Sequence, residues 1–288
     1  MKSRVRLHIT RLPLLTWLGL PLLVLYLSVN YFLGESRNPD WVRADLPGNG
    51  TLPAEAAIPT PPPLQTTPVP WDRRGIVTIW FDDAWQTQYT ISLPIMESFG
   101  FRGALAVPTL AINNENYMSW AQVRRMQFKG WEIASHTRNH ICESAKFDEK
   151  TVDYELNGSY EDLRRQGIRA DFFVSPCGIE LPGIREIAKQ HYLGLRTVEP
   201  GFTDLPPKDV YFINGFTLTN ESTVGDIRTL LSETKASLKW LNIIFHSIDE
   251  SGSKYSVTPD TFSAMLEEVR NSGLPVLVPS EVLSRIFK

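Results

Sequence analysis

From Gly75 to Val278 the chain alternates short apolar runs with helix-length amphipathic stretches, and this alternation restricts the fold more than any other feature. Gly75–Phe81, Arg102–Val107, Trp131–Ser135, Asp171–Ser175, Gly194–Val198, Val210–Phe216, Asn242–His246 and Pro275–Val278 read as strands. Between them Gln86–Phe99, Ser119–Phe128, Asp148–Gln166, Leu181–Gln190, Val224–Leu241 and Pro259–Asn271 read as helices. Strand–helix repetition of this kind predicts an α/β fold with a parallel sheet. The number of units suits a barrel better than an open sheet, although periodicity alone does not decide between them.

The polar residues able to do chemistry follow the strands. Asp82 and Asp83 follow the first, His136 and His140 the third, Ser175-Pro176-Cys177-Gly178 the fourth, and His246 closes the seventh. In a parallel barrel these ends open on one face. Asp83, His136 and His140 make a two-histidine, one-carboxylate set suited to Zn²⁺, with Co²⁺, Ni²⁺ or Fe²⁺ as rivals, and three protein ligands leave a coordination position open. Asp82 could deprotonate a water there, and His246 could protonate a leaving group, which describes metal-assisted hydrolysis of an amide or ester. Taken alone, an Asp-Asp pair is usually a turn or cap, and H-x3-H is usually coincidence. Their joint occurrence changes the reading: of five histidines, His136, His140 and His246 all fall in strand-end segments, and His191 reads as surface.

Upstream, residues 1–11 form a basic tail with Lys2, Arg4, Arg6 and Arg11 and no acid. Residues 12–34 carry no charge, and Leu12–Leu33 would span about 33 Å as a helix, enough for a bilayer core of about 30 Å. The charge bias predicts a single-pass signal-anchor, with a cytoplasmic N-terminus and an extracytoplasmic catalytic domain. A cleaved signal peptide is the rival, but the run is long for one and no small-residue cleavage site follows. Residues 35–70 form a Pro-rich linker that favours extended geometry, and residues 71–288 form the globular domain. The whole chain has net charge −3 and its basic excess lies in the tail, which excludes a bulk nucleic-acid binder.

Four segments are similar to the polysaccharide deacetylases with NodB homology, carbohydrate esterase family four. Trp80-Phe81-Asp82-Asp83 resembles the first family motif, Ser135-His136-Thr137-Arg138-Asn139-His140 the second, and Ile243-Ile244-Phe245-His246 the last; Tyr89-Thr90 and Leu93-Pro94-Ile95-Met96 also fit. The resemblance covers most of residues 71–288. It implies a distorted (β/α)7 barrel, here preceded by a transmembrane helix, and removal of N-acetyl, or less often O-acetyl, groups from a polysaccharide or oligosaccharide. It implies Asp82 as base, Asp83, His136 and His140 as metal ligands, His246 as acid, and the backbone N–H of Cys177 as oxyanion donor. Cell-surface polysaccharide machinery would be the partner. The alternatives are a carbohydrate-binding relative without turnover and an amidohydrolase of a small cyclic amide.

The sequence departs from the family pattern at three places. Ala84 stands where the first motif has Gly. The third motif, Val174-Ser175-Pro176-Cys177-Gly178, lacks the Arg that would orient the base, and the Asp-Trp motif that pairs with that Arg is not evident. Two residues are candidates for substrate binding. Trp85 could stack on a sugar face or anchor the loop, and Arg196 could face the cleft or form a salt bridge. Cys142 and Cys177 lie near the same mouth, where they could pair as a disulfide if their Cα atoms fall within about 7 Å, or Cys177 could remain a free thiol.

Overall fold

A computed structural model describes residues 74–286 apart from 147, 180 and 181. The expected anchor at 12–34 and linker at 35–70 lie outside the described residues. Among the described residues no helix is long and apolar enough to cross a membrane.

The sheet is parallel and built from β1 (Ile76–Phe81), β2 (Ala104–Val107), β3 (Glu132–Ser135), β4 (Ala170–Val174), β5 (Gly194–Arg196), β6 (Phe216–Thr217) and β7 (Trp240–Phe245), in the order β5-β4-β3-β2-β1-β7-β6. The described architecture is an α/β half-barrel of parallel strands. Its helices are α1 (Leu93–Ser98), α2 (Trp120–Phe128), α3 (Glu149–Arg165), α4 (Pro182–His191), α5 (Val224–Ser237), α6 (Pro259–Ser272) and α7 (Pro279–Ile286). Start signals in the sequence explain several of them. Ser119 with Gln122 and Thr223 with Asp226 form capping boxes on α2 and α5, and Asp148 and Thr258 cap α3 and α6.

β1 lies inside the sheet, between β2 and β7, and all six of its residues are buried. Its two faces serve two cores, as a period of two requires. Val77, Ile79 and Phe81 face the helix layer, with Leu105, Val107, Phe245 and Phe262. Ile76 and Trp80 face the concave side, with Phe172, Trp240 and Ile244, and Ala104, Ala106 and Ala134 leave room there for the indole. The concave side also carries hydrogen bonds between β1 and β7, since buried polar groups require partners. Trp80 Nε1 donates to Asn242 Oδ1 at 2.9 Å, and Trp240 Nε1 donates to Thr78 Oγ1 at 2.9 Å.

Three expectations are corrected. The helix predicted to run to Leu241 stops at Ser237, because Leu238 takes a left-handed conformation (φ 57°) and Trp240–Phe245 joins the sheet beside β1. Leu238, Trp240 and Leu241 keep apolar residues at helical spacing there, so periodicity gives no stop signal. The predicted last strand is a single bridge, Val77 to Val276, followed by α7, which the sequence reading did not place. Val282 and Leu283 of α7 pack into the concave core. The segment predicted as one strand, Val210–Phe216, is divided. Its start pairs with β5 (Leu195 N–H to Val210 O, 2.9 Å; Arg196 bridged to Ile213) and β6, at its end, pairs with β7.

Candidate active site

The strand ends do converge. Asp82 is buried at the end of β1, its N–H donating to Phe245 O at 2.9 Å. The chain then turns through Asp83 (φ 79°) and Ala84 (φ 57°). Glycine would adopt these angles without cost; Ala84 does so with its methyl buried in the core and its carbonyl accepting from Met118 N–H at 2.9 Å. Five of the non-glycine residues with positive φ, namely Asp83, Ala84, Thr137, His140 and Cys177, belong to the motif segments. Backbone in this region persists only where surrounding contacts fix it.

Those contacts are visible around the His136–His140 loop. Glu155, buried on α3, accepts hydrogen bonds from the N–H groups of Arg138 (2.9 Å) and Asn139 (2.8 Å) and from Asn139 Nδ2 (2.7 Å). Arg138 forms a two-point ion pair with Asp162, also on α3, which Thr109 Oγ1 joins at 2.9 Å. The loop carrying His140 is thus clamped to a helix. Sequence reasoning missed Glu155, and its signal was a carboxylate inside the buried stripe Val152, Leu156, Ser159 and Leu163.

The donor atoms of Asp83, His136 and His140 lie within 4.8 Å of one another. Asp83 Oδ1 is 3.1 Å from His140 Nε2 and 3.6 Å from His136 Nε2. His136 Nδ1 faces Val174 O at 2.8 Å. A carbonyl only accepts, so Nδ1 carries the proton and Nε2 presents a lone pair toward Asp83. Asp83 Oδ1 is buried and has no hydrogen-bond partner, while Oδ2 accepts from Trp85 Nε1 at 3.0 Å. Two acceptors face each other across a buried gap, which is the arrangement a cation resolves. The N, N, O donor set fits a divalent ion such as Zn²⁺. Burial opposes the charge on Asp83, but when His136 and His140 are protonated their imidazoles outweigh it and hold the carboxyl well below its usual range. Burial likewise opposes the charge on His140, and Asp83 outweighs it and raises the imidazole.

Arg196, at the end of β5, is completely buried. Its Nη2 lies 2.6 Å from both carboxylate oxygens of Asp82, and its guanidinium stacks 4.8 Å from the Trp80 ring. Of its two sequence readings, the salt bridge is the one found, with no face left for substrate. An arginine thus reaches Asp82 from the strand next to the one that ends in the third motif. Val174 and Arg196 are register partners, so the side chain sits one strand over at the same level.

Trp85 is half-buried. Besides its bond to Asp83, its ring stacks on Tyr117 at 4.5 Å, so it anchors the loop as well as lining the mouth. His246 follows β7, stacked 5.0 Å from the exposed Tyr255, with Nδ1 buried and unpartnered. Burial lowers His246 below its usual range despite Asp82 and Asp83 nearby. Gln88, missed by the sequence reading, ties these ends together, its Nε2 donating to Asp82 O (2.5 Å) and His246 O (2.9 Å). Cys177 (φ 52°) lies in the turn after β4 and is disulfide-bonded to Cys142, with a Cα–Cα separation of 5.4 Å. Gly178 follows with φ 70°, and a Cβ there would meet Val198 at 2.4 Å.

Residues 72–198 match the family model described as polysaccharide deacetylase. In solved structures the chain is similar to the family-four carbohydrate esterase domain of a multidomain xylanase from the hindgut metagenome of Trinervitermes trinervoides. There the identity is 16% and the TM-score 0.55, covering 74% of this chain and 91% of that one. It is similar to a family 4 carbohydrate esterase from Streptomyces lividans in complex with acetate, at 16% identity and TM-score 0.50, over 70% and 91% of the two chains. It is also similar to a family 4 acetyl xylan esterase from Clostridium thermocellum in complex with a cobalt ion, at 15% identity and TM-score 0.50, over 73% and 90%. No curated protein matches. The first and second motif segments lie within residues 72–198, the stretch that matches the polysaccharide deacetylase family model, and the solved structures share the fold of this chain.

Proposed function

We propose that this protein is a metal-dependent deacetylase that removes N-acetyl, or less often O-acetyl, groups from an extracytoplasmic polysaccharide, tethered to the membrane through residues 12–34. The observation that carries this reading is the acceptor cluster of Asp83, His136 and His140 beside Asp82, itself held by a buried arginine. The pairing of segment 210–217 with both β5 and β7 supports reading the fold as a distorted (β/α)7 barrel, whose strand ends surround one mouth.

Asp83, His136 and His140 would hold the ion, with Zn²⁺ favoured and Co²⁺, Ni²⁺ or Fe²⁺ as rivals. When bound, the ion supplies Lewis acidity toward the acetyl carbonyl and lowers the pKa of water. Asp82, oriented by Arg196, accepts the proton of the attacking water. The N–H of Cys177 donates to the developing oxyanion. His246 gives a proton to the departing amine or hydroxyl; its lowered pKa makes it a stronger donor but a scarcer one at neutral pH. Tyr117 and Trp85 stand on the Asp83 side of the mouth and Tyr255 on the His246 side.

The test is acetate release from N-acetylglucosamine oligomers and from acetylated xylan. Release abolished by chelator and reduced at least about 10³-fold in Asp82→Asn is expected. Undiminished release in chelator would overturn the metal reading. No release from either polymer by metal-loaded protein would favour a binding relative without turnover.

A further inference from the structure

The Cys142–Cys177 disulfide sits against His140, and its sulfurs have no part in the reaction just described. Cys142 follows His140 by two residues, and its Sγ lies 3.7 Å from His140 Nδ1. The sulfurs of Cys142 and Cys177 and a ring nitrogen of His140 all fall within 4.8 Å of one another, and both cysteines are exposed. His140 thus belongs to two donor clusters. Its Nε2 is directed toward Asp83 and its Nδ1 toward sulfur.

We propose that Cys142, Cys177 and His140 Nδ1 form a second, redox-gated site for a thiophilic divalent cation such as Zn²⁺ or Cd²⁺, which competes with the Asp83–His136 site for His140. This rests on the proposed function through His140 alone. As a disulfide the sulfurs carry no charge and the site is closed. A dithiol reductant opens it: two electrons and two protons pass to the disulfide, its S–S bond breaks, two S–H groups form, and the reductant becomes a disulfide. On binding a cation, the two S–H protons leave to solvent. Two thiolates and one imidazole then make a three-ligand site with a fourth position for water, a set that soft cations prefer to oxygen donors. A neutral imidazole offers one lone pair. With the cation on Nδ1, Nε2 carries the proton and becomes a donor to Asp83 Oδ1, already 3.1 Å away. Asp83 and His136 then lose their third ligand, so reduction in the presence of a thiophilic cation switches the enzyme off.

The experiment titrates Co²⁺ into the full chain, oxidised and then reduced and freed of reductant without air, following absorption and bound metal. Thiolate coordination gives Co²⁺ an intense near-ultraviolet charge-transfer band that nitrogen and oxygen donors do not give. The expected result is a single Co²⁺ without that band in the oxidised chain, and a single Co²⁺ with it in the reduced chain. Cys142→Ser and Cys177→Ser, each reduced, should lose the band. No band on reduction, persistence of the band in both variants, or two ions per reduced chain would overturn the inference, as would loss of the far-ultraviolet dichroism of the reduced chain. An oxidised chain that binds no Co²⁺ while the reduced chain shows the band would count against the proposed function and leave this site standing.

Discussion

Arg196 binds Asp82 in full burial, and a pair of this kind costs far more to break than to form. Truncation leaves a carboxylate without a partner in a dry site. Arg196→Met is therefore expected to lower stability by about 3–5 kcal/mol, read by urea denaturation, and to reduce acetate release about 10²-fold. Arg196→Lys restores the charge but not the planar fork, and should fall between the two. Equal stability of wild type and Arg196→Met would show that the pair is not formed. The sequence offered Arg196 as a strand-end residue that could face the cleft or form a salt bridge, without naming a partner. The bond that defines its role joins positions 114 apart in the chain, which no local pattern encodes. Asp82, Asp83, His136, His140 and His246 were legible because short-range spacing and strand-end position already specify them.

At the scale of elements, the loop after β3 is held in shape by α3 through Glu155. Glu155→Gln keeps the volume but turns one accepting oxygen into a donor. Groups that orient a metal ligand are worth about 10–100-fold in affinity, so Zn²⁺ binding measured by calorimetry should weaken within that range, with the melting profile little changed at saturating metal. Unaltered affinity would limit Glu155 to a structural role. A second element is the exit from α5, where Leu238 holds a left-handed φ of 57° while 47% exposed. A side chain there costs about 1–2 kcal/mol, and glycine removes that cost at the expense of some unfolded-state entropy. Leu238→Gly should gain about 1 kcal/mol on balance, seen as a raised denaturation midpoint. The same residue explains why the helix was expected to run on: Leu, Trp and Leu keep the apolar period, and only β1 lying alongside draws Trp240 and Leu241 into a strand.

Across the whole molecule, Glu132 joins the start of β3 to the last helix. It is buried and accepts from the Ser280 N–H at 2.8 Å. Burial pushes its carboxyl up from the usual 4.5 to about 8, against the bond from Ser280. An acid with a raised folded-state pKa holds its proton more tightly when folded. Its stabilising effect is complete below pH 4.5 and is lost as pH rises through about 8. Stability should therefore decline over that window, with a limiting slope from this group of about 1.4 kcal/mol per pH unit. Glu132→Gln should flatten the decline, as measured by denaturant midpoints from pH 4 to pH 9. An unchanged slope would place the titration elsewhere.

The sequence by itself determined the alternation of strands and helices, the strand ends where chemistry collects, and the charge pattern of the N-terminal segment, because each depends on residues near one another in the chain. It also offered the disulfide as an option without deciding it. Tertiary structure decided that Cys142 and Cys177 meet, that Val210–Phe216 pairs with both β5 and β7, that α7 enters the concave core, and that Arg196 reaches Asp82 from β5. Each of these joins segments distant in sequence, and the register of a folded sheet is what sets them side by side.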